Sequence, residues 1–173
     1  MISDHSQNVN GDNPRSALAS VGVAGAAVST HRRHLALELL ATRDRFMLHF
    51  RPVLARHNVT EQQWRVMRAL AAHEAMEPGE ITRRCVILKP SLTGILSRME
   101  ELRWIQRQGH ADDLRRSVVK LTVAGRSLQT KIRHEVERTH ENLVGELGQD
   151  VLDTLHRALD EFNAALDKLN VDL

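Results

Sequence analysis

The apolar residues fall into blocks at helical spacing, and most blocks end at a recognisable stop. Leu35, Leu39, Leu40, Phe46, Met47, Phe50, Val53 and Leu54 space as one long amphipathic helix ending near His57-Asn58, which Pro52 should bend, or in which it should mark a turn where helix geometry changes. Thr60-Glu-Gln-Gln63 has the form of a capping box, in which the Thr hydroxyl accepts from the third backbone N–H and Gln63 reaches back. The helix it opens carries Trp64, Val66, Met67, Leu70 and Ala71 and runs to about His73. Pro78 to Cys85 predicts a short helix, and Val86-Ile-Leu88 joins it to another over 89–103. In that last segment Leu92, Ile95, Leu96, Met99 and Leu102 form one stripe, and Pro90 suits a first turn, where a missing N–H costs nothing.

After Leu102 the period changes. Trp104 to Arg107 and Val118 to Leu121 predict short strands flanking a loop, Gly109 to Ser117, that holds Asp112, Asp113, Arg115 and Arg116. Thr122 can cap a helix running past Leu128, Ile132, Val136 and Leu143, which Gly145 and Gly148 should break. A final helix places Leu152, Leu155, Leu159, Phe162, Leu166 and Leu169 at alternating spacings of three and four, a heptad seam that must pack on something. A second subunit is the expected partner, with packing on the first long helix as the alternative.

The outer face of the 89–103 helix carries Ser91, Thr93, Gly94, Ser97 and Arg98, all small or hydrogen-bonding. Two helices in tight succession, the second with such a face, make a helix-turn-helix, and a charged ribbon directly after it makes a wing. Taken alone, the segment fits an ordinary surface helix equally well. The expected fold is therefore mainly α with a small β-wing: a winged helix-turn-helix lobe plus a helical dimerisation arm.

Charge strengthens the DNA-reading alternative. Net charge is only +2, yet residues 81–126 hold ten Lys/Arg against four Asp/Glu, and residues 127–173 hold five against ten. A basic middle beside an acidic end orients a protein on a polyanion. Cys85 is the only cysteine, which excludes an intrachain disulfide and zinc-finger spacing. No apolar run approaches a membrane span, and no signal peptide opens the chain, so a soluble cytoplasmic protein is expected. Residues 1–33, rich in Ser, Asn, Gly and Ala, read as a flexible leader in which His31 and the adjoining His34 are solvated rather than a metal pair. No Gly-rich phosphate loop, Gly-x-Ser-x-Gly or His-Glu-x-x-His occurs, so neither an enzyme nor a cofactor is expected.

The order of elements over about residues 35–170 resembles the MarR family of bacterial regulators. Asp113-Leu-Arg115, then Val119-Lys-Leu121-Thr122 and Gly125, match its Asp-x-Arg…Leu-Thr…Gly pattern. Phe50-Arg-Pro52, His57 to Arg65 and Cys85 to Leu96 resemble the branch governing homoprotocatechuate degradation and its neighbours governing nicotinate degradation. The resemblance implies residues 34–173 as a MarR-type domain, with a lobe at 60–123 and dimerisation regions at 34–58 and 124–170. It implies a homodimeric repressor on pseudo-palindromic double-stranded operator DNA, with Ser91, Thr93, Ser97 and Arg98 in a major groove. Arg115 would enter a narrow minor groove held by Asp113, and Arg116 would meet phosphate.

The same resemblance implies a small aromatic carboxylic acid or phenol as releasing effector. Arg43 matches an arginine of that branch and would pair with the carboxylate; Met47, His49, Phe50, Trp64 and Arg65 would surround the ring. Trp64 serves equally as a core anchor, and His49 as a surface residue. The rival is a redox-sensing regulator acting through Cys85, whose neighbours Arg83 and Arg84 could lower its pKa. Against that, Cys85 shares a stripe with Ile81 and Leu88, the position of a structural cysteine.

Overall fold

The computed structural model describes residues 34–110 and 113–169, with side chains described except at 110 and 113–116. The leader 1–33, including His31, lies outside the described residues, as does Asp112. The chain forms two compact units, one ending at Asp44 and the other running from Arg45 onward. The first unit contributes most of α1 (Leu35–Met47), a helix with no buried residue. Its Leu35, Leu37, Leu39 and Leu40 are all exposed.

The second unit begins with a break that the periodicity alone does not show. The expected single helix over 35–57 is two, α1 and α2 (Arg51–Arg56), separated at Leu48–Phe50. Pro52 lies in the first turn of α2, where its absent N–H leaves nothing unpaired; inside a continuous helix its ring would strike the carbonyl of Leu48. The chain tightens before it through three i to i−3 bonds, from Leu48, His49 and Phe50 to Arg45, Phe46 and Met47.

The lobe follows as α3 (Glu61–His73), β1 (Ala75–Met76), α4 (Pro78–Cys85), α5 (Lys89–Glu101), β2 (Ile105–His110) and β3 (Asp113–Leu121). The capping box on α3 is complete: Gln63 N–H donates to Thr60 Oγ1 at 3.2 Å and Thr60 N–H to Gln63 Oε1 at 2.9 Å. The antiparallel sheet has the order β1-β3-β2. β1 is a two-residue strand without periodicity of its own, pairing Ala75 with Lys120 and Met76 with Val119. The wing's strands also extend farther than expected. Of the segment expected as loop from Gly109 to Ser117, residues 109–110 and 113–117 are strand, Gly109 pairing with Ser117 and His110 with Asp113 across a register shift.

Val53, Leu54, Trp64, Val66, Met67, Leu70, Ile81, Leu92, Leu96, Met99, Ile105 and Val119 form one core joining α2 through β3, closed by Ile132 of α6 (Val123–Leu147). Leu92, Leu96 and Met99 are the inner stripe of α5; burying each stabilises the lobe by roughly 1.5–3 kcal/mol. Leu102 is the C-cap rather than a helical residue, because the chain turns through Arg103 at φ 57°. Gly145 does not break α6, which continues to Leu147. Gly148, at φ 87°, separates it from α7 (Gln149–Asp167). No residue of α7 is buried; Leu155, Phe162 and Leu166 of its seam stand exposed, as does Leu169 just beyond its end. No helix among the described residues is long and apolar enough to cross a membrane.

Candidate nucleic-acid interface

The polar face of α5 is presented as the side-chain pattern requires. With Leu92, Leu96 and Met99 turned inward, Ser91, Thr93, Ser97 and Arg98 are all exposed. Gly94 lies on the same face, and a Cβ there would meet nothing within 4 Å. Arg98 donates to Glu101 Oε2 at 2.9 Å, an exposed i, i+3 pair worth about 0–1 kcal/mol, too little to hold the guanidinium back from a phosphate.

The wing is tied to this helix by a residue that the sequence pattern did not single out. Arg107 of β2 reaches Glu100 Oε2 at 3.1 Å through Nε and approaches Ser97 Oγ at 3.5 Å through Nη2. The signal was present only as an arginine in a strand; its partner lies ten positions away in the Ser97 case, beyond local reading. Arg107 adds a cation beside the reading face. Asp113, Arg115 and Arg116 lie on β3, and their side chains are outside the described residues.

Behind α5, the turn of the helix-turn-helix is held by Arg65. Its Nη1 donates to the carbonyl of Cys85 at 2.7 Å and approaches that of Val86 at 3.3 Å. These are the carbonyls left open at the end of α4, where a cation also meets the negative end of the helix dipole. Val86 itself sits in the left-handed region, φ 50° and ψ 55°, a costly conformation for a β-branched residue. Cys85 is buried, and burial pushes its thiol upward against the smaller opposing pull of Arg65. A buried thiol held protonated is a poor peroxide target, so the geometry does not favour redox sensing.

The residues expected to surround an aromatic acid occupy different settings. Arg43 is exposed and paired with Asp44 Oδ1 at 2.7 Å. Met47 is half-buried, His49 exposed and Phe50 buried, with the ring centroids of Phe46 and Phe50 5.1 Å apart. Trp64 belongs to the lobe's core and Arg65 to the α4 cap. Among the described residues, no group of three or more His, Cys, Asp and Glu converges to hold a metal ion.

The MarR family model matches residues 57–116, which run from the end of α2 to the wing. The homoprotocatechuate degradative operon repressor of Escherichia coli is 36% identical over 130 residues, covering 75% of this chain and 88% of that protein. The chain belongs to the MarR family. The regulator FarR of Neisseria gonorrhoeae is 34% identical over 82% of this chain and 98% of its own length. NadR, solved in complex with 4-hydroxyphenylacetate, superposes with a TM-score of 0.70 at 32% identity, covering 79% of this chain and 99% of that one. The helix-turn-helix and wing described above are thus the DNA-binding lobe of a MarR-family transcription regulator.

Proposed function

We propose that the protein is a homodimeric repressor that binds a pseudo-palindromic operator and is released by a small aromatic carboxylic acid or phenol. The observation that carries this reading is the α5 face: Ser91, Thr93, Ser97 and Arg98 exposed on a helix fixed from behind by Leu92, Leu96 and Met99. Short hydroxyls and an arginine supply the donors and acceptors that major-groove edges and phosphates require. Arg115 is assigned to the minor groove and Arg116 to phosphate, with Asp113 as support, through their match to the family's wing pattern.

Dimerisation is assigned to the uncovered seam of α7 and, separately, to the exposed leucines of α1. A helix with this much apolar surface in water is stabilised by a partner, and a second copy gives the two-fold symmetry that a palindromic operator needs.

Effector class rests on the relatives. One represses a homoprotocatechuate operon and another binds 4-hydroxyphenylacetate, so a hydroxylated aryl acid is the first compound to test. Arg43 is proposed as the carboxylate's partner, and Met47, His49, Phe50 and Trp64 as residues about the ring; Arg65 is the remaining member of this set. Arg43→Ala tests the assignment: it should abolish thermal stabilisation by 4-hydroxyphenylacetate, whereas a retained shift rejects it.

A further inference from the structure

Among the described side chains from α3 to β3, two large apolar ones stand in water: Val86, 81% exposed, and Leu88, 77% exposed. Both belong to the turn between α4 and α5, and Ile87 between them is buried in the lobe. The turn is held firmly. Ile87 N–H donates to the Thr82 carbonyl at 3.2 Å, Val86 N–H donates to that of Arg83 at 3.4 Å, and Arg65 grips the carbonyls of Cys85 and Val86. Val86 takes φ 50° and ψ 55° there, a conformation that glycine or asparagine adopts at less cost. Leu88 is the N-cap of α5, where it makes no capping bond and a Ser, Thr or Asp would make one. At both positions an aliphatic side chain stands where the local backbone favours another residue, and the lobe buries neither.

We propose that Val86 and Leu88 read thymine in the operator by packing on its 5-methyl group in the major groove. The inference rests on the operator binding proposed above and adds an apolar contact to the hydrogen-bonding face of α5. Charge selects the occupant. Between Ile81 and Met99 the chain carries Arg83, Arg84, Lys89 and Arg98 and no Asp or Glu. Two aliphatic side chains within so basic a stretch suit a polyanion better than the apolar face of another protein, because charged residues are depleted at the centre of protein interfaces. Residues at the start of a recognition helix meet base edges, and the thymine methyl is the apolar group that the major groove offers. The hydroxyls of Ser91, Thr93 and Ser97 bond to more than one kind of base, so a methyl contact supplies discrimination that they lack. Because the turn is already fixed, little ordering cost opposes that contact.

Fluorescence anisotropy tests this with two duplexes from the region upstream of the protein's own gene, one natural and one with deoxyuridine at every thymine. The exchange removes the 5-methyl groups and leaves the hydrogen-bonding edges and the phosphates. The parent should bind the uracil duplex about tenfold more weakly, the effect of one buried methyl in each of two half-sites. Val86→Ala/Leu88→Ala should bind both duplexes alike, with the affinity of the parent for the uracil duplex. Both side chains are exposed, so the variant keeps its fold, which an unchanged far-ultraviolet dichroism spectrum verifies. Ser97→Ala/Arg98→Ala should bind both duplexes more weakly and keep the preference for thymine. Equal binding of the two duplexes by the parent overturns this inference and leaves the proposed function standing. A preference that survives in Val86→Ala/Leu88→Ala, or that disappears in Ser97→Ala/Arg98→Ala, places the methyl contact elsewhere and overturns it too. A parent that binds neither duplex overturns the proposed function and this inference together.

Discussion

The carbonyl oxygen of Trp104 occupies the space where a Cβ on Gly125 would stand, 1.9 Å away. The approach is drawn tight by Thr122, whose N–H donates to the same carbonyl at 3.0 Å and whose hydroxyl donates to Arg103 at 2.6 Å. The Thr122 oxygen accepts in turn from Gly125 N–H at 3.0 Å, capping α6. One Thr and one Gly thus clamp the start of α6 onto the chain leaving α5. Because backbone rather than a flexible side chain fills the space, Gly125→Ala should destabilise the protein by on the order of 3 kcal/mol, the upper range of overpacking. Urea denaturation of the purified variant measures it.

Val86 offers the opposite case. Its left-handed conformation costs about 1–2 kcal/mol, which glycine would not incur, offset in part by glycine's greater freedom in the unfolded chain. Val86 is exposed, so little packing is lost. Val86→Gly should raise the melting temperature, with a net gain of roughly 0.5–1 kcal/mol. An unchanged or lower transition would show that the side chain contributes contacts beyond those described.

Acid sensitivity should follow from Glu135 of α6. Its carboxylate accepts from Arg56 at 2.5 Å and pairs with His57 Nε2 at 2.7 Å, and these bonds, that from Arg56 foremost, hold its pKa below the ordinary 4.5. A depressed carboxylate contributes stability fully above its unfolded value, and the contribution disappears as pH falls through the folded value. Glu135→Gln should therefore be less stable than the parent at pH 7, and the difference should shrink below about pH 4.5. Denaturant midpoints of both proteins across pH 3 to 7 check the sign, at about unit spacing.

The exposed seam of α7 predicts an assembly defect. Replacing Phe162 and Leu166 with Asp places charge on the apolar stripe without touching the lobe's core, which contains no residue of α7. Sedimentation equilibrium should then give a monomer where the parent gives a dimer, with the helical signal of the lobe retained.

Much of the fold was legible because its determinants are local. Thr60 and Gln63 marked the start of α3, Gly148 the end of α6, and the alternation of Leu92, Leu96 and Met99 with Ser91, Thr93 and Ser97 set the two faces of α5. What escaped depends on partners distant in the chain. β1 is a strand only because β3 pairs with it, and Arg107 acquires meaning only beside Glu100 and Ser97. Arg65 is the sharpest case. Its chemistry invites a carboxylate, while its position commits one nitrogen to the end of α4, twenty residues away in sequence. Gly145 escaped for a different reason: on an exposed helical face its cost of about 1 kcal/mol relative to Ala is tolerable, so glycine content alone does not end a helix.

The wing provides a test of sequence pattern against contact. If Arg115 lies in a narrow minor groove, Arg115→Ala should weaken operator binding by about 1–3 kcal/mol and lower its salt dependence. An unaltered affinity and salt slope would remove the residue from the interface.

The most direct measurement is fluorescence anisotropy of a labelled duplex from the region upstream of the protein's own gene, titrated with the parent and with Ser97→Ala/Arg98→Ala. The parent should bind saturably and the double variant at least about tenfold more weakly, with equal thermal stability, since both side chains lie on the exposed face of α5. Equal affinity of the two proteins for that duplex would contradict the assignment of α5 as the reading helix.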